Sequence, residues 1–185
     1  GKYIWTNGDV HDGGWLDDEQ HGKGTMKCKD GTFYSMQFKD GLAHGEGTYK
    51  RADGSIYHGE VRGGLIHGRG NMKYRDGSEY DGQFVFGRMH GEGKMKYKNG
   101  SEYVGEWSAN KRHGKGKMKY WYGQEHGEYD GEWCSGLIHG KGKMKFNDGT
   151  EQLNGQLWDI GSKGSHTGCQ SSMWKTSPPG IMGSE

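Results

Sequence analysis

Ten of the 185 residues are histidines, and six of them head the same tetrapeptide, His-Gly-x-Gly. They are His21, His44, His67, His90, His113 and His139, spaced 23, 23, 23, 23 and 26 residues apart. Three chemistries use such residues: metal ligation by imidazole, phosphate cradling by a glycine loop, and acid–base work by a histidine with a carboxylate. Each fails on spacing or context. If every unit is a two-stranded hairpin, equivalent histidines lie two strands apart, about 9.6 Å. Imidazoles sharing a zinc each sit about 2.0–2.1 Å from it. The glycine motif has no helix pattern behind it, and no GxxxxGK[ST] occurs. Nucleophile-elbow and HExxH motifs are also missing. Carboxylates such as Glu102 and Glu106 suit a solvated strand face. Cys28, Cys134 and Cys169 are odd in number, contain no CxxC pair, and signal neither a disulfide framework nor a zinc site. The expectation is no catalytic residue, no cofactor and no metal, in a reducing intracellular setting.

Two sets of residues remain that could recognise something. Lysines recur on one side of the His-Gly-x-Gly segments: Lys94, Lys96, Lys115, Lys117, Lys119, Lys141, Lys143 and Lys145, with Lys23, Lys27, Arg69 and Lys73 extending the rows. Glu60, Glu106, Asp130 and Glu132 of the neighbouring segments point the same way. Such a face either neutralises itself through cross-strand pairs or attracts an anionic partner, a phospholipid surface or an acidic protein. Aromatic residues recur on the other side: Tyr57, Tyr80, Phe84, Tyr103, Trp107, Tyr129 and Trp133. A single-layer sheet leaves part of such a ladder uncovered, so these rings are expected to anchor a peptide segment in a long groove. The aromatic side is favoured as the partner surface.

Short alternating segments must position both sets. YDGQF at 80–84, YVGEW at 103–107 and YDGEW at 129–133, with YHGEV at 57–61, alternate large residues with polar ones, the pattern of a half-buried strand. In HGKGKMKY, Gly114, Gly116, Met118 and Tyr120 share one face; His113, Lys115, Lys117 and Lys119 share the other. Asp-Gly or Asn-Gly pairs follow, as at Asp76-Gly77, and predict type I′ hairpin turns. The connection before each His-Gly spans five residues. Its third is Gly41, Gly64, Gly87 or Gly136, but Asp18 and Asn110 in two units. Residues of these types predict a positive φ there. Glycines inside the strands predict close approach of rings from a neighbouring strand or repeat.

Composition fits such a sheet. Thirty-eight glycines stand against two prolines, and Leu, Ile, Val and Phe together make up about 11% of the chain. That excludes an ordinary aliphatic core. Aromatics at 12% and a net charge of +1 oppose disorder, and the charge balance excludes a drive toward nucleic acid. No apolar run is long enough to span a bilayer as a helix.

The pattern Y-x-G-x-W, then five residues, then H-G-x-G-x-x-x-Y-x-x-G resembles the MORN (membrane occupation and recognition nexus) repeat over about residues 1–160. The resemblance implies an all-β, elongated, twisted single-layer antiparallel sheet of successive hairpins, about 13 strands in all. It divides the chain into a partial first repeat at 1–10, an array at 11–164 with a three-residue insertion near 124–128, and a flexible tail at 165–185. Gly1 aligns with Gly24, so more repeats or another domain are expected upstream. The end units depart from the pattern: His11 replaces the Tyr, Met36 replaces a Gly, Leu153 and Leu157 replace aromatics, and Lys163-Gly164 is a decayed His-Gly.

MORN arrays occur in radial spoke heads of cilia and flagella, in cytoskeletal scaffolds and at membrane junctions. They also precede the catalytic domains of plant phosphatidylinositol phosphate kinases and of a histone methyltransferase. The resemblance therefore implies a non-catalytic scaffold binding partner proteins in a ciliary, flagellar or other cytoskeletal assembly. The alternative is a membrane-associating regulatory array of such a lipid kinase. An open edge strand could also pair copies of the chain.

Overall fold

The computed structural model describes residues 1–122 and 125–154. The expected insertion near 124–128 falls partly outside them; Leu157, Lys163-Gly164 and the expected tail lie wholly outside. Fourteen strands follow one another: β1 (Lys2–Ile4), β2 (Val10–Leu16), β3 (Glu19–Lys27), β4 (Phe33–Lys39), β5 (Leu42–Lys50), β6 (Ile56–Arg62), β7 (Leu65–Lys73), β8 (Glu79–Val85), β9 (Arg88–Lys96), β10 (Glu102–Ser108), β11 (Lys111–Tyr122), β12 (Glu125–Cys134), β13 (Leu137–Phe146) and β14 (Glu151–Asn154). Each pairs antiparallel with its sequence neighbours, giving one sheet in chain order. The strand count is 14 rather than about 13 because the short strands β1 and β14 pair at the two ends.

The two kinds of turn exchange the roles the sequence suggests. The type I′ pair sits before His-Gly. Gly63 and Gly64 have φ of 56° and 76°, and Ala109 and Asn110 have 48° and 71°. Two residues with φ > 0 give the twist that fits adjoining strands. The expected positive φ at Asp18, Gly41, Gly64, Gly87, Asn110 and Gly136 is present, and the residue before each is positive too. The connection is thus two residues long, not five, because the strands run further into it. The Asp-Gly turns are the other kind. The Gly77 N–H donates to the Tyr74 carbonyl, the Tyr74 N–H donates to the Ser78 carbonyl, and only Gly77 is left-handed. That is a type I turn closed by a glycine bulge. Asp76 accepts from the Ser78 N–H at 2.8 Å instead of adopting a positive φ.

Each hairpin also carries a bulge at its His-Gly. Glu60 faces three residues, His67 to Arg69, between the pairs Gly59↔Gly70 and Val61↔Ile66. The first glycine of every His-Gly-x-Gly takes a positive φ there, between 55° and 73° across the six copies. The two-residue turns are tied across repeats. The N–H of Gly64 donates to the Ala43 carbonyl, that of Gly87 to Ile66, and that of Asn110 to Met89, at 2.8–3.0 Å. The Asn110 side chain returns a bond by accepting from the Met89 N–H at 2.8 Å.

Candidate functional site

The sheet has a ring face and a charged face. On the ring face a tyrosine lies over a cross-strand pair of glycines. Tyr103 covers Gly105 and Gly116, and a Cβ added at Gly116 would fall within 2.2 Å of its hydroxyl. The same holds for Tyr57 on Gly70, Tyr80 on Gly93 and Tyr129 on Gly142. These glycines leave room for rings, as the strand pattern predicts. Each hydroxyl donates to the carbonyl three residues on: Tyr57 to Glu60, Tyr80 to Gln83, Tyr103 to Glu106 and Tyr129 to Glu132, at 2.9–3.2 Å. Burial pushes the Tyr57, Tyr80 and Tyr103 hydroxyls well above the usual phenol range, and Tyr129 to about 12.

Rings of the same strand cover Tyr80, Tyr103 and Tyr129 edge-on, and rings of the next repeat cover Tyr57, Tyr80 and Tyr103. Phe84 meets Tyr57 at 5.3 Å and Tyr80 at 5.0 Å; Trp107 meets Tyr80 at 5.4 Å and Tyr103 at 5.1 Å; Trp133 meets Tyr103 at 5.4 Å and Tyr129 at 5.3 Å. Such T-shaped pairs contribute about 0.5–1.5 kcal/mol each beyond area burial. The indoles are pinned as well, Trp107 to the Gly93 carbonyl at 3.2 Å and Trp133 to that of Gly116 at 2.9 Å.

This changes the role of the seven expected anchors. Tyr57, Tyr80, Phe84, Tyr103, Trp107, Tyr129 and Trp133 are buried, at 0–4% exposure. They cannot reach a partner as they stand. They form the floor. The side chains a partner could touch on this face are the half-buried Tyr74, Tyr97 and Tyr120 packed against that floor, whose intervening Met72, Met95 and Met118 are buried with the rings. The sequence shows this column too, a tyrosine closing three successive His-Gly-x-Gly segments where the others have Cys28, Arg51 and Phe146; only packing distinguishes it from the buried one. A cleft of about 610 Å³ opens on this face, lined by Arg51, Met72, Tyr74, Phe84, Met89 and Tyr97 among others.

The charged face neutralises itself along one row. Lys73, Glu79, Lys96, Glu102, Lys119, Glu128, Lys145 and Glu151 stand side by side across eight strands with alternating sign. In the adjoining row Lys94 reaches Glu102 at 2.9 Å, Lys117 reaches Glu128, and Lys143 reaches Glu151 at 2.7 Å. Lys115 and Lys141 are exposed, and Lys115 stands opposite Glu132. Glu106 and Glu132 have a further role that sequence reasoning missed. Their carboxylates accept the main-chain N–H of Lys115 at 2.8 Å and of Lys141 at 3.3 Å, capping the bulges. The pairing of Glu with the His-Gly one strand on was the available signal. His67 and His113 likewise contribute from the main chain, where their carbonyls accept the Tyr57 and Tyr103 hydroxyls at 3.5 and 3.4 Å, and the His67 ring meets Phe86 edge-on at 5.7 Å. Among the described residues no three His, Cys, Asp or Glu side chains cluster as metal ligands would.

Two departures from the repeat are visible. His11 occupies a tyrosine site, fully buried between Trp15 at 5.1 Å and Phe38 at 4.9 Å, and neither ring nitrogen makes a hydrogen bond. Burial pushes its pKa down. Met36 occupies a glycine site, where it fills the space over Gly47. Tyr34 has moved aside to stack on Tyr49 at 4.7 Å.

The match to a family profile agrees with this anatomy. The profile of the MORN repeat matches residues 1–10, 11–33, 37–56, 57–79, 80–102, 103–120 and 129–151. The interruption at 34–36 contains Met36, and that at 121–128 falls on the long β11–β12 hairpin. A search of curated proteins finds no match. Among solved structures, the SAS-4 (dCPAP) TCP domain of Drosophila melanogaster, in complex with a proline-rich motif of Ana2 (dSTIL), is similar with a TM-score of 0.49 and 10% identity, over 82% of this chain and 81% of that one. With seven matched units and one continuous sheet of hairpins, the chain belongs to the MORN repeat family.

Proposed function

We propose that the chain is a non-catalytic scaffold that holds a protein partner along its ring face, within a ciliary, flagellar or other cytoskeletal assembly inside the cell. One observation carries the choice of face. The ring face combines a rigid buried floor with a half-buried rim of Tyr74, Tyr97 and Tyr120, the first two lining an open cleft, whereas the charged face alternates sign. A preordered aromatic surface binds with little further loss of side-chain entropy. An alternating row offers no net field to an anionic membrane, which counts against the lipid-kinase alternative. The kind of assembly rests on the family alone.

A photo-crosslinkable residue placed at Tyr97 or at Lys117 tests the face. Crosslinks to partner protein are expected from Tyr97 and not from Lys117. Charge reversal of Lys115, Lys117, Lys141 and Lys143 together is expected to leave partner binding intact. Flotation with phosphatidylserine vesicles that this reversal abolishes would overturn the reading in favour of a membrane surface.

A further inference from the structure

The strands of the ring face are almost free of charge. Among the described side chains of β2 to β13, that face carries no Asp or Glu and a single Lys or Arg, Arg112. In the neighbouring hairpins the same place holds Ile66, Met89 and Ile138. Arg112 is half-buried, its guanidinium 4.2 Å from the Trp133 ring and 6.0 Å from that of Tyr103. Nη2 donates to the Gly136 carbonyl at 2.7 Å, and Nη1 faces the Met118 sulfur at 3.7 Å. A guanidinium has five N–H donors, so most of its donor capacity stays open. It forms no ion pair with any described carboxylate. Burial raises the Tyr97, Tyr103 and Tyr120 hydroxyls, and the Arg112 charge acts against that rise in all three. Tyr97 and Tyr120 belong to the rim a partner would touch.

A half-buried cation costs free energy unless it is paired. The rings and the Gly136 carbonyl hold this one in place without neutralising it. We propose that Arg112 is the anchor for a carboxylate, and that the segment docking on the ring face is an acidic peptide that sets a Glu or Asp side chain between Arg112 and the tyrosine rim. This rests on the ring face being the partner surface. The charge count selects a carboxylate. Planar, bidentate pairing matches one guanidinium to one monoanion. A phosphate dianion or an anionic bilayer calls for several cations close together. The arginines that line the cleft, Arg51 and Arg75, stand there beside Asp53 and Asp76, after β5 and β7, about six and four strand spacings, or roughly 29 and 19 Å, from β11.

The test uses the full chain and short fluorescein-labelled peptides with one Glu flanked by Leu or Phe, each matched to its Gln counterpart and read by fluorescence polarisation. Wild type is expected to bind Glu peptides about tenfold or more tighter than Gln peptides. Arg112→Met, which installs the residue found at position 89, is expected to abolish that preference while Gln-peptide binding and circular dichroism stay unchanged. Arg112→Lys is expected to restore only part of it, and Lys117→Gln is expected to change nothing. Equal affinity for Glu and Gln peptides in wild type, or a preference that survives in Arg112→Met, overturns the carboxylate site and leaves the ring-face reading standing. No binding of either peptide by a folded chain overturns both. A stronger, Arg112-dependent preference for phosphoserine peptides or phosphatidylserine vesicles overturns the carboxylate assignment in favour of phosphate.

Discussion

Gly93→Ala tests whether buried rings over bare backbone hold the sheet together. Gly93 is not in the left-handed region, so alanine brings no backbone strain. The whole cost is steric. A Cβ at 93 would lie 2.2 Å from the Tyr80 hydroxyl oxygen and 2.5 Å from two ring carbons. Tyr80 is fully buried, so the ring must lift. Lifting it breaks the bond to the Gln83 carbonyl, about 1 kcal/mol. It also disturbs the contacts with Phe84 and Trp107, about 0.5–1.5 kcal/mol each. The expected loss is about 2–4 kcal/mol in total. The molecule holds a precedent, since Met36 at a glycine site leaves Tyr34 off its glycines and stacked on Tyr49. Urea denaturation followed by circular dichroism reads the loss. Hydrogen exchange locates it, because repeat arrays can open one unit at a time. Placing Gly93→Ala in a Tyr80→Leu background closes the cycle and should cost under about 1 kcal/mol. A loss below about 0.5 kcal/mol in wild type, or additive effects in the double variant, would refute the ring-over-glycine account.

His11→Tyr should raise the thermal midpoint, because it replaces two unpartnered ring nitrogens by a hydroxyl able to reach the Gly14 carbonyl, a gain of about 1 kcal/mol; an unchanged or lower midpoint would show that the site has relaxed around imidazole. Acid should loosen the Asp-Gly turns first. Main-chain hydrogen bonds from Ser55 and Thr32 hold Asp53 and Asp30 below the usual carboxylate range, and the Thr150 side chain does the same for Asp148. Depressed values mean that the stability they lend is present above the unfolded carboxylate value of about 4 and is lost as pH falls through the folded values. The Ser55 amide resonance should therefore titrate below about pH 4, whereas that of Ser101, bonded to the uncharged Asn99 at 3.0 Å, should not.

The repeat, its register and its two faces were legible in the sequence because they are local. Period-two alternation, glycine and asparagine at the turn, and a 23-residue spacing act within one hairpin, and the array copies that hairpin. The positive φ at Asn110 and Asp18 follows from residue type alone. The turn types were not legible in the same way. Asp76 lends its carboxylate to the Ser78 N–H, and the left-handed pair moved to 86–87 and 109–110. The alternating charge row was half legible; which lysines find carboxylates depends on register across eight strands. Burial of the ladder could not be read at all. Tyr103 is covered by Trp107 of its own strand and Trp133 of the next repeat, so its exposure is a property of neighbouring units rather than of any one. The 23-residue period thus determined that the chain builds a sheet of hairpins with rings on one side. Only the tertiary structure decided that those rings are floor rather than handle, and that one arginine stands among them without a counter-ion, since side-chain cover and pairing depend on which unit packs against which.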